Sequence, residues 1–249
     1  FGGASVKDAS GVKNLIRVLE TTGYKDTLVV VSAMGKTTNA LENIIETYFD
    51  NKQSLNQQLL RLKEFHLKIV EELFEDKAAK LIQVVHDYFD ELKIFFKNNK
   101  GPNYSFVYDQ VVSYGELLST TIIYHYFELK GWKSFWLDAR DCIKTDDYYR
   151  SANLNWDQTQ TLIKSGAKGH QLIITQGFIG SNSNNFTTTL GREGSDYSAA
   201  IFAYALNAES VTIWKDVPGV LNGDPRVFNN TELLHQISYR EAIELAFYG

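Results

Sequence analysis

The residues best suited to chemistry sit in a few polar breaks within otherwise apolar segments. Arg192 lies in the turn between Gly191 and Gly194 and offers a fork that matches a carboxylate or a phosphate. Asp196 follows four residues later and puts an acid where the turn and helix start favour anions, so it calls for cations nearby. Glu116 stands inside an apolar run with Val112, Leu117, Leu118, Ile122 and Ile123. A carboxylate there either faces water or meets something cationic, because burying it alone is expensive. The opening Gly2-Gly3-Ala4-Ser5-Val6 feeds a helical pattern and reads as a second phosphate cradle. The bland alternative for the central stretch is a helix capped by Ser195 or Asp196, with Arg192 in water.

These residues need a scaffold, and the patterning supplies one. Thr187 to Leu190 reads as a short strand, Gly191 and Gly194 as its break, and Tyr197 to Asn207 as a helix. Apolar spacing predicts a helix over 7–20 and a buried strand over Thr27 to Val31, which runs into the polar loop Ser32 to Asn39. From Leu41 to about Lys97 two apolar stripes predict a helical hairpin. Its His66 and His86 lack partners at metal-ligand spacing. Further expectations are a helix over Val111 to Leu129, strands at 134–137, 171–175 and 211–214, and a short helix closing at Ala167. A last helix from Ser238 opens on a capping box with Glu241. Alternating strands and helices predict an α/β fold, a mainly parallel open sheet sandwiched by helices, with the polar loops gathered at one sheet edge.

Composition narrows the partners. The 249 residues are 44% hydrophobic with a formal net charge of −5, which argues against nucleic acid and anionic membranes. A single cysteine, Cys142, excludes an internal disulfide and fits a reducing cytoplasm. No G-x-G-x-x-G follows a strand and no Walker A motif occurs. The sequence begins Phe1-Gly2-Gly3 in mid-motif and stops at Gly249 after an apolar pattern, so the expectation is a piece of a longer chain.

With these segments in place, the chain resembles aspartate kinases of the amino-acid kinase family. The resemblance rests on Phe1 to Val6, Ser32 to Asn39, Gly115 to Ser119, Gln176 to Gly180, Thr187 to Ala200, and Trp214 to Arg226, in that order. It implies an amino-acid kinase (carbamate kinase-like) fold and MgATP-dependent phosphorylation of the side-chain carboxylate of L-aspartate to 4-phospho-L-aspartate. That step leads toward lysine, threonine and methionine. Carried onto this sequence, Arg192 would hold the substrate α-carboxylate and Glu116 its α-ammonium, with Thr38, Phe178 and Ser195 completing the pocket. Gly2, Gly3 and Ser5 would wrap the transferring phosphoryl group, and Asp196 would organise catalytic cations. Lys215, Asp216, Leu221 and Arg226 fall on nucleotide-contacting positions. Mg²⁺ would ride on the ATP phosphates, since no acidic cluster suggests a dedicated metal cage.

The departures are Ala4 for the usual Thr, Glu193 for a common Gly, and Leu221 for a frequent Tyr. The family's lysine before Phe1 and a basic residue after Gly249 fall outside the sequence, as do its C-terminal ACT domains. The expectation is one catalytic domain over 1–249, trimmed at both ends, from a cytoplasmic enzyme that is a homo-oligomer at full length.

Overall fold

A three-stranded parallel sheet gives the computed structural model its frame; residues 1–50, 53–191, 193–217 and 219–248 are described. The strands are β1 (Thr27–Val31), β2 (Phe135–Leu137) and β3 (Leu172–Gln176), in the order β1-β3-β2. Thr27 pairs with Leu172 and Val31 with Gln176, while Phe135 pairs with Ile173. Period-two alternation divides the strand side chains between two cores. Val29, Val31, Leu172 and Ile174 join one cluster with helices α1 (Ala9–Thr22), α2 (Thr37–Asp50), α3 (Leu55–Phe74), α4 (Ala79–Asn98) and α5 (Tyr104–Leu129). Leu137 and Ile173 join the other with Ile163, Ile201 and Phe202, from α7 (Trp156–Ala167) and α8 (Gly194–Leu206). The sheet is thus sandwiched by helices, as its apolar strands require.

Three expectations change here. The hairpin over 41–97 is three helices, because α2 carries its own buried stripe of Leu41, Ile44, Ile45 and Tyr48. Helix α5 starts at Tyr104, not Val111, with the Asn103 side chain accepting the Phe106 N–H at 3.1 Å as N-cap. Residues 211–214 form no strand among the described residues; Val211 and Ile213 stay 50% and 45% exposed. Their β-branched side chains suit a sheet, but propensity without a ladder partner does not make a strand.

Three shorter elements follow within the region 1–214. The four-residue helix α6 (Ala139–Cys142) follows β2, and β4 (Ile179–Ser181) pairs antiparallel with β5 (Thr187–Thr189). Residues 215–249 form a separate unit. Within it Leu221 bridges to Leu233, and α9 (Tyr239–Tyr248) opens on the expected capping box. There Ser238 N–H donates to Glu241 Oε2 at 2.8 Å and Glu241 N–H to Ser238 Oγ at 3.2 Å. No helix among the described residues is long and apolar enough to cross a membrane.

Candidate active site

The polar loops meet at the C-terminal ends of β1 and β3, the edge where open α/β sheets take ligands. Ser32 N–H donates to Phe1 O at 3.1 Å, Gly35 N–H to Gly3 O at 3.0 Å, and Gly177 N–H to Val31 O at 3.1 Å. These bonds bring Gly2, Gly3 and Ser5, the loop leading to Thr38, and the Gly177–Phe178 turn onto one edge. Gly3 to Val6 form a 3-10 turn, and Ser5 Oγ lies 3.4 Å from Trp214 O. The start of α1 is closed to an anion, because Asp8 occupies that helix end and accepts the Gly11 N–H at 2.8 Å. Thr38 is half-buried in the first turn of α2. Its neighbour Thr37 donates to Met34 O at 2.6 Å and lies 3.4 Å from Nε2 of the buried His66, whose pKa burial lowers to about 4. His66 is thus a core residue behind the loop, in keeping with its lack of ligand partners.

Glu116 is 3% exposed, which disposes of the water-facing alternative. Its neighbour Gly115 makes the environment: a Cβ there would come within 2.8 Å of the Ala33 Cβ. The loop therefore packs directly on α5, and Ala33 N–H donates to Glu116 Oε1 at 3.2 Å. Oε2 is buried with no hydrogen-bond partner among the described residues. Burial pushes the Glu116 pKa up to about 8, partly offset by the Ala33 hydrogen bond. An acceptor buried without a partner is costly, and a cationic donor would remove that cost.

That carboxyl sets a proton linkage. At pH 7 the empty site holds mostly the protonated acid, whereas a bound ammonium selects the carboxylate. Ligand binding at pH 7 should release close to one proton, falling to none well above pH 8. Stability runs in the matching direction. The unfolded carboxyl ionises near its ordinary value of 4.5, so the empty fold loses stability as pH rises from there through about 8. Calorimetry of binding of a ligand that carries an ammonium group, in buffers of different ionisation enthalpy, checks this; zero proton exchange at pH 7 would contradict it.

Across the edge, the β3 turn meets the start of α8. A Cβ on Gly177 would fall 2.5 Å from Ser195 Oγ, so only glycine permits this approach. Phe178 follows in the left-handed region at φ 69°, an uncommon conformation for a bulky residue. Ser198 holds it there: its Oγ accepts the Phe178 N–H at 2.9 Å and donates to Gly194 O at 2.9 Å. Ser198 was not among the residues singled out by sequence, although its place one helical turn beyond Gly194 was the available signal.

The start of α8 corrects the capping expectation. The N-cap is Glu193, in left-handed conformation at φ 56°, and Ser195 and Asp196 already lie inside the helix. Gly194 N–H is taken by Gly191 O and Asp196 N–H by Glu193 O, each at 3.1 Å, so the turn exposes fewer donors than its glycines suggested. Ser195 and Asp196 are half-buried and line one end of a cleft of about 410 Å³ with Phe1, Ser32 and Trp214. Arg192 lies outside the described residues. Lys215, Asp216, Leu221 and Arg226 belong to the separate unit 215–249, where Asp224 grips the Arg226 guanidinium at 2.6 Å.

Comparison with known proteins adds to this geometry. Residues 1–249 match the family described as the amino acid kinase family. The chain is 31% identical over 263 residues to the bifunctional aspartokinase/homoserine dehydrogenase 2, chloroplastic, of Arabidopsis thaliana, covering 100% of this chain and 28% of that one. It is 31% identical over 253 residues to lysine-sensitive aspartokinase 3 of Escherichia coli (strain K12), covering 100% of this chain and 55% of that one. The crystal structure of E. coli aspartokinase III in complex with aspartate and ADP superposes with a TM-score of 0.90 at 30% identity, covering 100% of this chain and 55% of that one. The chain thus spans about half, or less, of the length of these relatives.

Proposed function

Because the chain belongs to the amino acid kinase family, we propose that it carries the active site of an aspartate kinase, moving the γ-phosphoryl group of ATP to the side-chain carboxylate of L-aspartate. The observation that carries this reading is the buried Glu116 carboxyl with one oxygen lacking a partner among the described residues. A free α-ammonium satisfies it with a charged donor; an N-acetylated amino acid offers only a neutral amide N–H, a weaker partner for a carboxylate. In this reading Arg192 takes the substrate α-carboxylate, and Thr38, Phe178 and Ser195 shape the rest of the pocket. The similarity to a structure that holds aspartate and ADP supports the same assignment.

The chemistry is then largely positioning. A side-chain carboxylate oxygen attacks the γ-phosphorus, the bond to the β–γ bridging oxygen breaks, and ADP leaves with that electron pair. The nucleophile is already ionised near neutral pH, so no general base is needed. Gly2, Gly3 and Ser5 would donate to the transferring group, Asp196 would hold cations around it, and Lys215, Asp216, Leu221 and Arg226 would contact the nucleotide. Among the described residues no three His, Cys, Asp or Glu side chains gather to hold a metal ion. Mg²⁺ on this reading arrives with the ATP phosphates and neutralises their charge.

The product is an acyl phosphate, which hydroxylamine converts to a hydroxamate. With ATP and Mg²⁺, the full-length protein should form aspartyl hydroxamate and show no comparable product from N-acetylglutamate. Product from N-acetylglutamate and none from aspartate would overturn the reading.

A further inference from the structure

Helix α5 buries a second acid that the reaction above does not use. Asp109 is fully buried, and its carboxylate accepts four hydrogen bonds. Thr189 N–H donates to Oδ2 at 2.9 Å and Thr189 Oγ1 to Oδ1 at 2.8 Å. Arg150 N–H is shared between the two oxygens, at 3.0 and 3.1 Å. The two gripped residues belong to adjoining segments, since Ala152 N–H donates to Thr189 O at 2.9 Å. Gly191, two residues past Thr189, packs on the same loop, where a Cβ would lie 3.3 Å from Ser151 Oγ. Arg150 is itself in the left-handed region at φ 71°, with its guanidinium 4.6 Å from the Tyr108 ring centroid. One carboxylate therefore fixes both walls of the segment that leads into the turn before α8.

Its place on α5 gives this grip a consequence. Asp109 and Glu116 are seven residues apart, so they share one helix face about 10 Å apart along the axis. We propose that Asp109 is a positioning residue: from the face of α5 that carries Glu116, it fixes the end of β5, where Leu190 N–H donates to Phe178 O at 2.9 Å, and hence the separation between the Glu116 end of an α-amino-acid pocket and its Phe178–Ser195 end. This inference rests on the aspartate kinase reading and adds to it a residue that touches no substrate.

The test uses the full-length protein with Asp109→Asn, which puts an amide donor among the donors the carboxylate now accepts. The KM for aspartate should rise about tenfold or more, with kcat and the KM for ATP moving less than about threefold. Thr189→Val keeps the shape, removes one of the four bonds, and should give a smaller rise of the same pattern; it decides the matter if Asp109→Asn does not fold. An unchanged KM for aspartate, or equal losses in kcat and both KM values, would overturn the proposal. If the wild type makes no aspartyl hydroxamate, the functional reading fails separately. Amide hydrogen exchange then decides the positioning role: Asp109→Asn should speed exchange at residues 189–191 and leave Ala33 protected. Unchanged exchange at 189–191 would refute it.

Discussion

Glu116→Gln should weaken aspartate binding by about 2–5 kcal/mol, the cost of truncating one partner of a buried charge pair, which is at least a thirtyfold loss of affinity. ATP binding should stay within about twofold of wild type, because the change leaves the phosphates' surroundings alone. The geometry makes the experiment clean. Gln resembles in size and neutrality the protonated acid that the empty site holds at pH 7, and its side-chain oxygen can still accept the Ala33 N–H now bonded at 3.2 Å. The fold is therefore expected to survive, while the charged form that pairs with an ammonium is lost. Equilibrium titration with aspartate and with ATP separates the two effects, and the proton release described above should vanish in the variant. Equal affinity of wild type and Glu116→Gln for aspartate would remove Glu116 from the ammonium site.

Asp196→Asn should act on turnover. Its carboxylate sits in the first turn of α8 and lines the cleft with Ser32 and Phe1. Removing one element of preorganised electrostatics typically costs about a hundredfold or more in kcat, and aspartate affinity should change far less. The competing account, a helix cap that Asn would replace without loss, no longer applies because Glu193 is the N-cap. An acid near the positive end of a helix contributes about 0.3–1 kcal/mol of stability. A thermal melt measures that small loss, and steady-state kinetics measures the large one. Near-normal kcat with a slightly lowered Tm would return Asp196 to a purely structural role.

The sequence made Glu116 conspicuous because an acid inside an apolar run calls for an explanation, and the structure supplies one in its buried, half-satisfied carboxyl. Asp109 obeys the same logic among Val107, Tyr108 and Val111, yet it escaped notice. The expected helix began two residues after it, so Asp109 fell in a stretch with no expected burial and stood as an acid free to face water. Helix starts depend on local capping, here by Asn103, and one misplaced boundary hid a buried group. The expected strand at 211–214 failed for the opposite reason. Its composition suits a sheet, but a strand exists only where another backbone pairs with it.

Periodicity and turn chemistry by themselves determined the class of fold. They placed β1 at Thr27–Val31, the capping box at Ser238, and the polar loops after the ends of parallel strands. These are local properties, set by side-chain spacing and backbone preference within a few residues. Tertiary structure alone decided which loops meet, which end of α8 is capped by which residue, and which acids are buried. Val31 and Gln176 are far apart in the chain and adjacent in the sheet, and Gly115 meets Ala33 only because two elements pack without a side chain between them. The raised pKa of Glu116 follows from that packing. Desolvation depends on everything that surrounds a group, and a sequence lists only its neighbours along the chain.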